Sequence, residues 1–295
     1  MTVLTEGRGA APDRPASAAA IVAFVVRKSL IPTAYTPIWD ANRLCPRTNK
    51  GRQTMAQGPD RRYMTRAQAE AAQIDVGLRN YMLRVYNYMA LGVAYTGAVA
   101  MLVASSPAAV QTLGSMFWVF FIALLGMGFF APRLMATKSV GVAQACYWVY
   151  ATLWALILGP VLFMYAQMDP MLVPKAFFIT AGTFAGMSLV GYTTKKDLSG
   201  LAAFFVMGVI GVFIAMLVNV FLLQSEMMSL VLSIIVVLLF SGITAWETQQ
   251  IKNRYDEGDM GDVAAKKAIF GAFELYGTFV VMFIHVLNIL GIMNE

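Results

Sequence analysis

Seven stretches of this chain approach the ~20 consecutive apolar residues that a helix needs to cross the hydrocarbon core of a bilayer. They run near residues 81–103, 113–131, 140–165, 176–193, 201–223, 229–247 and 268–292. No other feature narrows the choice of fold so far. With 59% hydrophobic and only 13% charged residues, against about 25% charged in a typical soluble domain, the chain reads as an all-α membrane protein of seven transmembrane helices. The connections are short, which leaves no room for an extramembrane domain and makes neighbours in sequence the expected antiparallel neighbours in space.

The formal charge of +6 means something only once it is located. Residues 1–84 hold 13 Lys/Arg against 6 Asp/Glu, and residues 85–295 hold 9 against 10. The basicity is that of an N-terminal arm, which fits a topology signal or contact with anionic headgroups and gives no ground for a nucleic-acid partner. Further along, Arg133, Lys138, Lys195, Lys196, Lys252, Arg254, Lys266 and Lys267 all fall in the second, fourth and sixth connections, and only Lys175 falls in the others. By the excess of positive charge on the inner face, the N-terminus is expected in the cytoplasm or its equivalent and the C-terminus outside.

Residues 1–65, rich in Pro, Arg and Gly, are expected to form a disordered basic arm. Their one apolar run, residues 16–26, is too short to span; a signal or transit segment and sequence upstream of a later start at Met55 are both compatible with it. Residues 66–80 read as a juxtamembrane helix, because Ile74, Leu78, Met82 and Val85 recur at helical spacing, and residues 81–292 as the membrane domain. Small residues inside the spans, as in "GTFAGMSLVG", fit close helix packing. No phosphate loop follows a strand.

An ionisable side chain inside a membrane helix is costly, so each one raises a functional hypothesis. Three stand out: Glu247, Glu274 and His285, the sole histidine. On the seventh helix Glu274 and His285 lie 11 residues apart, about three turns, with Thr278 and Asn288 near the same face, giving a polar stripe. Glu247 lies 5 residues before Lys252 and Glu274 lies 7 after Lys267, roughly 7.5 and 10 Å from one boundary at 1.5 Å per residue. Two readings stay open. The acids meet between the last two helices, forming a proton-gated latch or a cation site; or Glu247 reaches water at a helix end while Glu274 bonds to a neighbouring helix. His285 and Asn288 fit interhelical hydrogen bonds, and Arg133 fits the positive-inside pattern.

No cofactor is indicated, and enzymatic chemistry finds little support. One His with the isolated Cys45 and Cys146 supplies no zinc site, Ser188 has no base within sequence reach, and the seventh span lacks a lysine for a retinal Schiff base.

The segments "LRNYMLRVYNYMALGVAYTG", "FFITAGTFAGMSLVGYTTKKDLSG", "GITAWETQQIK" and "KKAIFGAFELY" together resemble the Bax-inhibitor (transmembrane Bax-inhibitor-motif) family, in its bacterial branch, over about residues 74–292. The resemblance implies a seven-helix fold with the last helix surrounded by the other six. It also implies a pH-sensitive calcium or cation leak, governed by two facing aspartates on helices six and seven and an arginine of the second helix. The first acid falls on Glu247, where the usual "YDTQ" reads "WETQ". The second falls on Thr278, where "LYLDFINLF" reads "LYGTFVVMF", so that acid is missing, and Glu274 one turn earlier is the candidate replacement. The arginine is matched by Arg133. Bacterial relatives are associated with a membrane-bound ATP-dependent (AAA) protease, which makes a non-transporting regulator of protease or stress response the alternative function. The implied compartment is the bacterial inner membrane, or else the mitochondrial inner membrane.

Overall fold

The computed structural model describes residues 66–259 and 261–294, with side chains from Val76 onward; the arm proposed for residues 1–65 lies outside them. Every element of the described residues is helical. Seven helices are long and apolar enough to cross a membrane. The first span belongs to α1 (Arg66–Ala104), an unbroken helix that includes the segment read as juxtamembrane. After the short α2 (Pro107–Ser115), begun by Ser106 capping the amide of Ala109, come α3 (Phe117–Thr137), α4 (Val140–Met168) and α5 (Leu172–Thr193). The fifth span is α6 (Ala202–Val218), entered by one 3-10 turn and left by a π turn at Asn219–Leu223. The sixth and seventh are α7 (Glu226–Asn253) and α8 (Asp262–Ile292).

Two boundaries differ from the hydropathy reading in ways that matter. The second span begins at Phe117, because the residues before it form the separate α2. The sixth span continues past Glu247 to Asn253, because its polar end is anchored by packing: Thr248, Gln249 and Ile251 are all buried. The Gln249 amide donates to the Lys196 carbonyl at 2.8 Å, and its side-chain oxygen accepts the Leu198 amide at 2.7 Å.

The seventh span is the axis of the bundle. Tyr276, Met282 and Leu287 on it are fully enclosed, and it packs against the first, third, fourth and sixth spans along much of its length and against part of the second. The fifth packs chiefly on the sixth. Lipid is as apolar as a leucine side chain, so cohesion here comes from close contact and interhelical hydrogen bonds rather than from hydrophobic transfer. The Tyr276 and Thr96 hydroxyls share a 2.7 Å hydrogen bond between α8 and α1, and the Tyr147 hydroxyl donates to the Tyr88 carbonyl at 2.7 Å.

Neighbours in sequence are not always neighbours in space. The first span packs mainly on the third, which runs the same way, and the second also packs mainly on the third. The connections that carry the lysines do come together at one end: Lys266 Nζ donates to the Lys138 carbonyl at 3.3 Å, and Gln249 holds the fourth connection. This end is called the basic end below.

Candidate functional site

The two acids singled out in the sequence lie on facing helices, and each is held by a different partner. Thr278 Oγ1 on α8 donates to Glu247 Oε2 on α7 at 2.7 Å. Glu274, one turn nearer the basic end, is gripped by Arg254 through both oxygens, Nη1 to Oε2 and Nη2 to Oε1, the latter at 3.1 Å. The Arg254 guanidinium also lies over the Phe270 ring, 5.1 Å from its centroid. Among the described residues the acids share no hydrogen bond, and Glu247 has no ion pair.

Helix geometry explains the divergence. Side chains on an α-helix lean toward its N-terminus. The sixth helix runs toward the basic end, so Glu247 leans away from that end and finds Thr278. The seventh runs the other way, so Glu274 leans toward the basic end and finds Arg254. Equal depth of two α-carbons on antiparallel helices therefore separates the side-chain tips.

Arg133 is not the arginine of this site. It is exposed on α3, whose turn there buries Ala131 and Met135 instead, and its carbonyl accepts the Thr137 hydroxyl at 2.8 Å. Arg254 stands against the acid in its place. A signal for it was present: Arg254 follows Glu247 by 7 residues, two turns, on the same face, but this matters only if the helix continues past Glu247.

The outer half of the polar stripe forms a second, separate cluster. Asn288 Nδ2 donates to Ser229 Oγ at 3.0 Å and to Ser233 Oγ at 2.8 Å, and Asn288 Oδ1 accepts the Tyr165 hydroxyl at 3.1 Å. Ser233 Oγ also pairs with His285 Nδ1 at 3.1 Å. Ser188 is not a nucleophile beside a base. Its Oγ lies 2.5 Å from the Tyr86 hydroxyl and 3.0 Å from Thr248 Oγ1, a chain of hydroxyls joining the first, fourth and sixth spans. Ser229, Ser233, Tyr86 and Tyr165 escaped the sequence reading, since Ser and Tyr in apolar runs carry no charge signal. Among the described residues no group of three or more His, Cys, Asp or Glu side chains is placed to hold a metal.

Chemically, the inner site offers one carboxylate held by a neutral hydroxyl donor and a second neutralised by a cation. It presents oxygen ligands of the kind hard cations take, with an arginine competing for one of them.

Comparison with known proteins agrees with this architecture. The family described as "Inhibitor of apoptosis-promoting Bax1" matches residues 78–295. The inner membrane protein YbhL of Escherichia coli is 36% identical over 220 residues, covering 73% of this chain and 92% of YbhL. An uncharacterised protein of Rickettsia prowazekii is 36% identical over 219 residues, 74% of this chain and 91% of its own length. One from Deinococcus radiodurans is 38% identical over 212 residues, 72% and 90% of the two chains. With seven helices long and apolar enough to cross a membrane, this chain is a multi-pass membrane protein and belongs to the Bax-inhibitor family.

Proposed function

We propose that this protein is a pH-sensitive cation leak, with calcium the expected ion, whose gate lies between the sixth and seventh spans. The observation that carries the reading is the Thr278–Glu247 hydrogen bond, one helical turn from the Glu274–Arg254 pair. Glu247 supplies the titrating carboxylate. Thr278 fixes its position, and Arg254 occupies Glu274 and so holds the site closed to cations. Opening then needs Arg254 to leave, which exposes two carboxylates and a hydroxyl to a passing ion. The His285–Asn288 cluster lies toward the other end of the same two helices and gives a polar landing away from the gate.

The basic end is assigned to the cytoplasm by the lysine asymmetry, and the membrane to the bacterial inner membrane, in keeping with the name of the Escherichia coli relative. Purified protein in liposomes carrying a calcium-sensitive dye is the test. Calcium entry above that of empty vesicles, changing with pH across the neutral range and abolished in Glu247→Gln, is the expected result. Entry no faster than in empty vesicles would remove the leak and leave the regulator of a membrane-bound ATP-dependent protease as the function to pursue.

A further inference from the structure

The bundle does not close between the first and fourth spans. A cavity of about 1150 Å³ lies there, floored by Phe279 and Phe283 of the seventh span. Its lip includes Leu83, Phe178 and Leu189, all exposed, so it opens sideways. Small residues usually let membrane helices touch. Here Ala94, Gly97 and Ala185 line an open groove instead, and a Cβ at Gly97 would meet nothing within 4 Å. The Tyr86–Ser188 hydrogen bond joins the two spans across it.

The lining runs from Arg79 to Met101 on α1, which at 1.5 Å per residue is about 33 Å, close to the ~30 Å hydrocarbon core. A sideways-opening apolar groove of that length, built wholly from membrane spans, faces acyl chains. Its charge is confined to one end. Arg79 is the only charged residue of the lining, is exposed, and has no ion pair among the described residues. Tyr192 lies on the lining near that end, with Lys252 Nζ 5.2 Å from its ring centroid. No acid on the lining opposes a phosphate.

We infer that this groove is a binding site for one anionic phospholipid, with its phosphate at Arg79 and its acyl chains along the Ala94–Gly97 face against Phe279 and Phe283. The site is independent of the gate and does not require the leak.

The test uses the full chain in mixed micelles of phosphatidylglycerol and phosphatidylcholine, with native mass spectrometry to count retained lipid. The expected result is one phosphatidylglycerol held per chain in preference to phosphatidylcholine. Arg79→Gln should lower that retention about fivefold, the effect of about 1 kcal/mol per basic residue at an anionic headgroup. Arg84→Gln, exposed on the same helix and off the lining, should leave it unchanged. Gly97→Leu projects into the open groove and should reduce retention of either lipid at unchanged thermal stability. Equal retention of the two lipids, an inert Arg79→Gln, or an inert Gly97→Leu would overturn the site. Retention of a second copy of the chain in place of lipid would make the groove a homodimer interface and overturn it as well.

Discussion

The α-carbon of Gly191 rests on the carbonyl of Ala245: a methyl group at residue 191 would stand 2.1 Å from that oxygen. This contact presses the fourth span against the sixth two residues before Glu247, so it sets the position of the helix that carries Glu247. A methyl cannot be absorbed by a flexible side chain, because the atom it meets is backbone. Gly191→Ala should therefore push the spans apart and cost about 1–3 kcal/mol, the usual range for overpacking. Thermal denaturation in detergent reads the loss. Gly186→Ala, where a Cβ meets nothing within 4 Å, is the control and should be neutral.

Asn288 ties three partners together at the far end of the bundle, and a membrane interior has no water to replace them. Interhelical hydrogen bonds in membranes average ~0.6 kcal/mol, so losing three in Asn288→Leu should cost about 2 kcal/mol. Ser229→Ala removes one of the three and should cost about a third as much. Equal losses in the two variants would show that Asn288 acts through packing rather than through its amide.

The third connection gives a pH-dependent contact in water. Asp169 accepts the Met171 amide at 2.8 Å and Lys175 Nζ at 3.2 Å, and these hold its carboxyl below the usual aspartate range, the amide contributing most. A depressed folded value means a contribution to stability that is full above the ordinary aspartate range and is lost as pH falls through the depressed one. The stability difference between the native chain and Asp169→Asn should thus be constant near neutral pH and shrink on acidification. A difference that grows in acid would reverse the assignment.

Hydropathy made the number of spans legible, because about 20 apolar residues admit few other folds in lipid. It could not show where the sixth helix stops. "ETQQIK" looks like a polar exit, yet Thr248, Gln249 and Ile251 face inward and bond or pack against neighbouring elements, so Glu247 is an interior residue. Depth along a helix was legible too, from distances to Lys252 and Lys267. Residue spacing carries no sign of the direction in which each side chain leans, and that lean parts Glu247 from Glu274. Resemblance points to Arg133 as the partner arginine, whereas Arg254, which holds Glu274, has in sequence the look of one more topology charge. The lateral groove had no sequence signature, since Ala and Gly at an open face read the same as Ala and Gly at a tight contact.

Arg254 and Thr278 together give the sharpest test of the proposed gate. Arg254 and Glu274 keep 37% and 22% of their side-chain surfaces exposed, so the pair is only partly buried and its loss in Arg254→Gln should cost about 1 kcal/mol of stability rather than the 3–5 of a fully buried pair. The functional effect should be larger than that cost suggests: with Glu274 released, basal calcium entry into liposomes should rise. Thr278→Asp acts on the other acid. It places a second carboxyl where a hydroxyl now bonds Glu247 at 2.7 Å, and two acids at that distance share one proton and titrate as a pair. Calcium entry in Thr278→Asp should therefore depend on pH more steeply than in the native chain, and adding Glu247→Gln should remove the extra steepness. An unchanged pH profile in Thr278→Asp would mean that ions do not pass between these two helices.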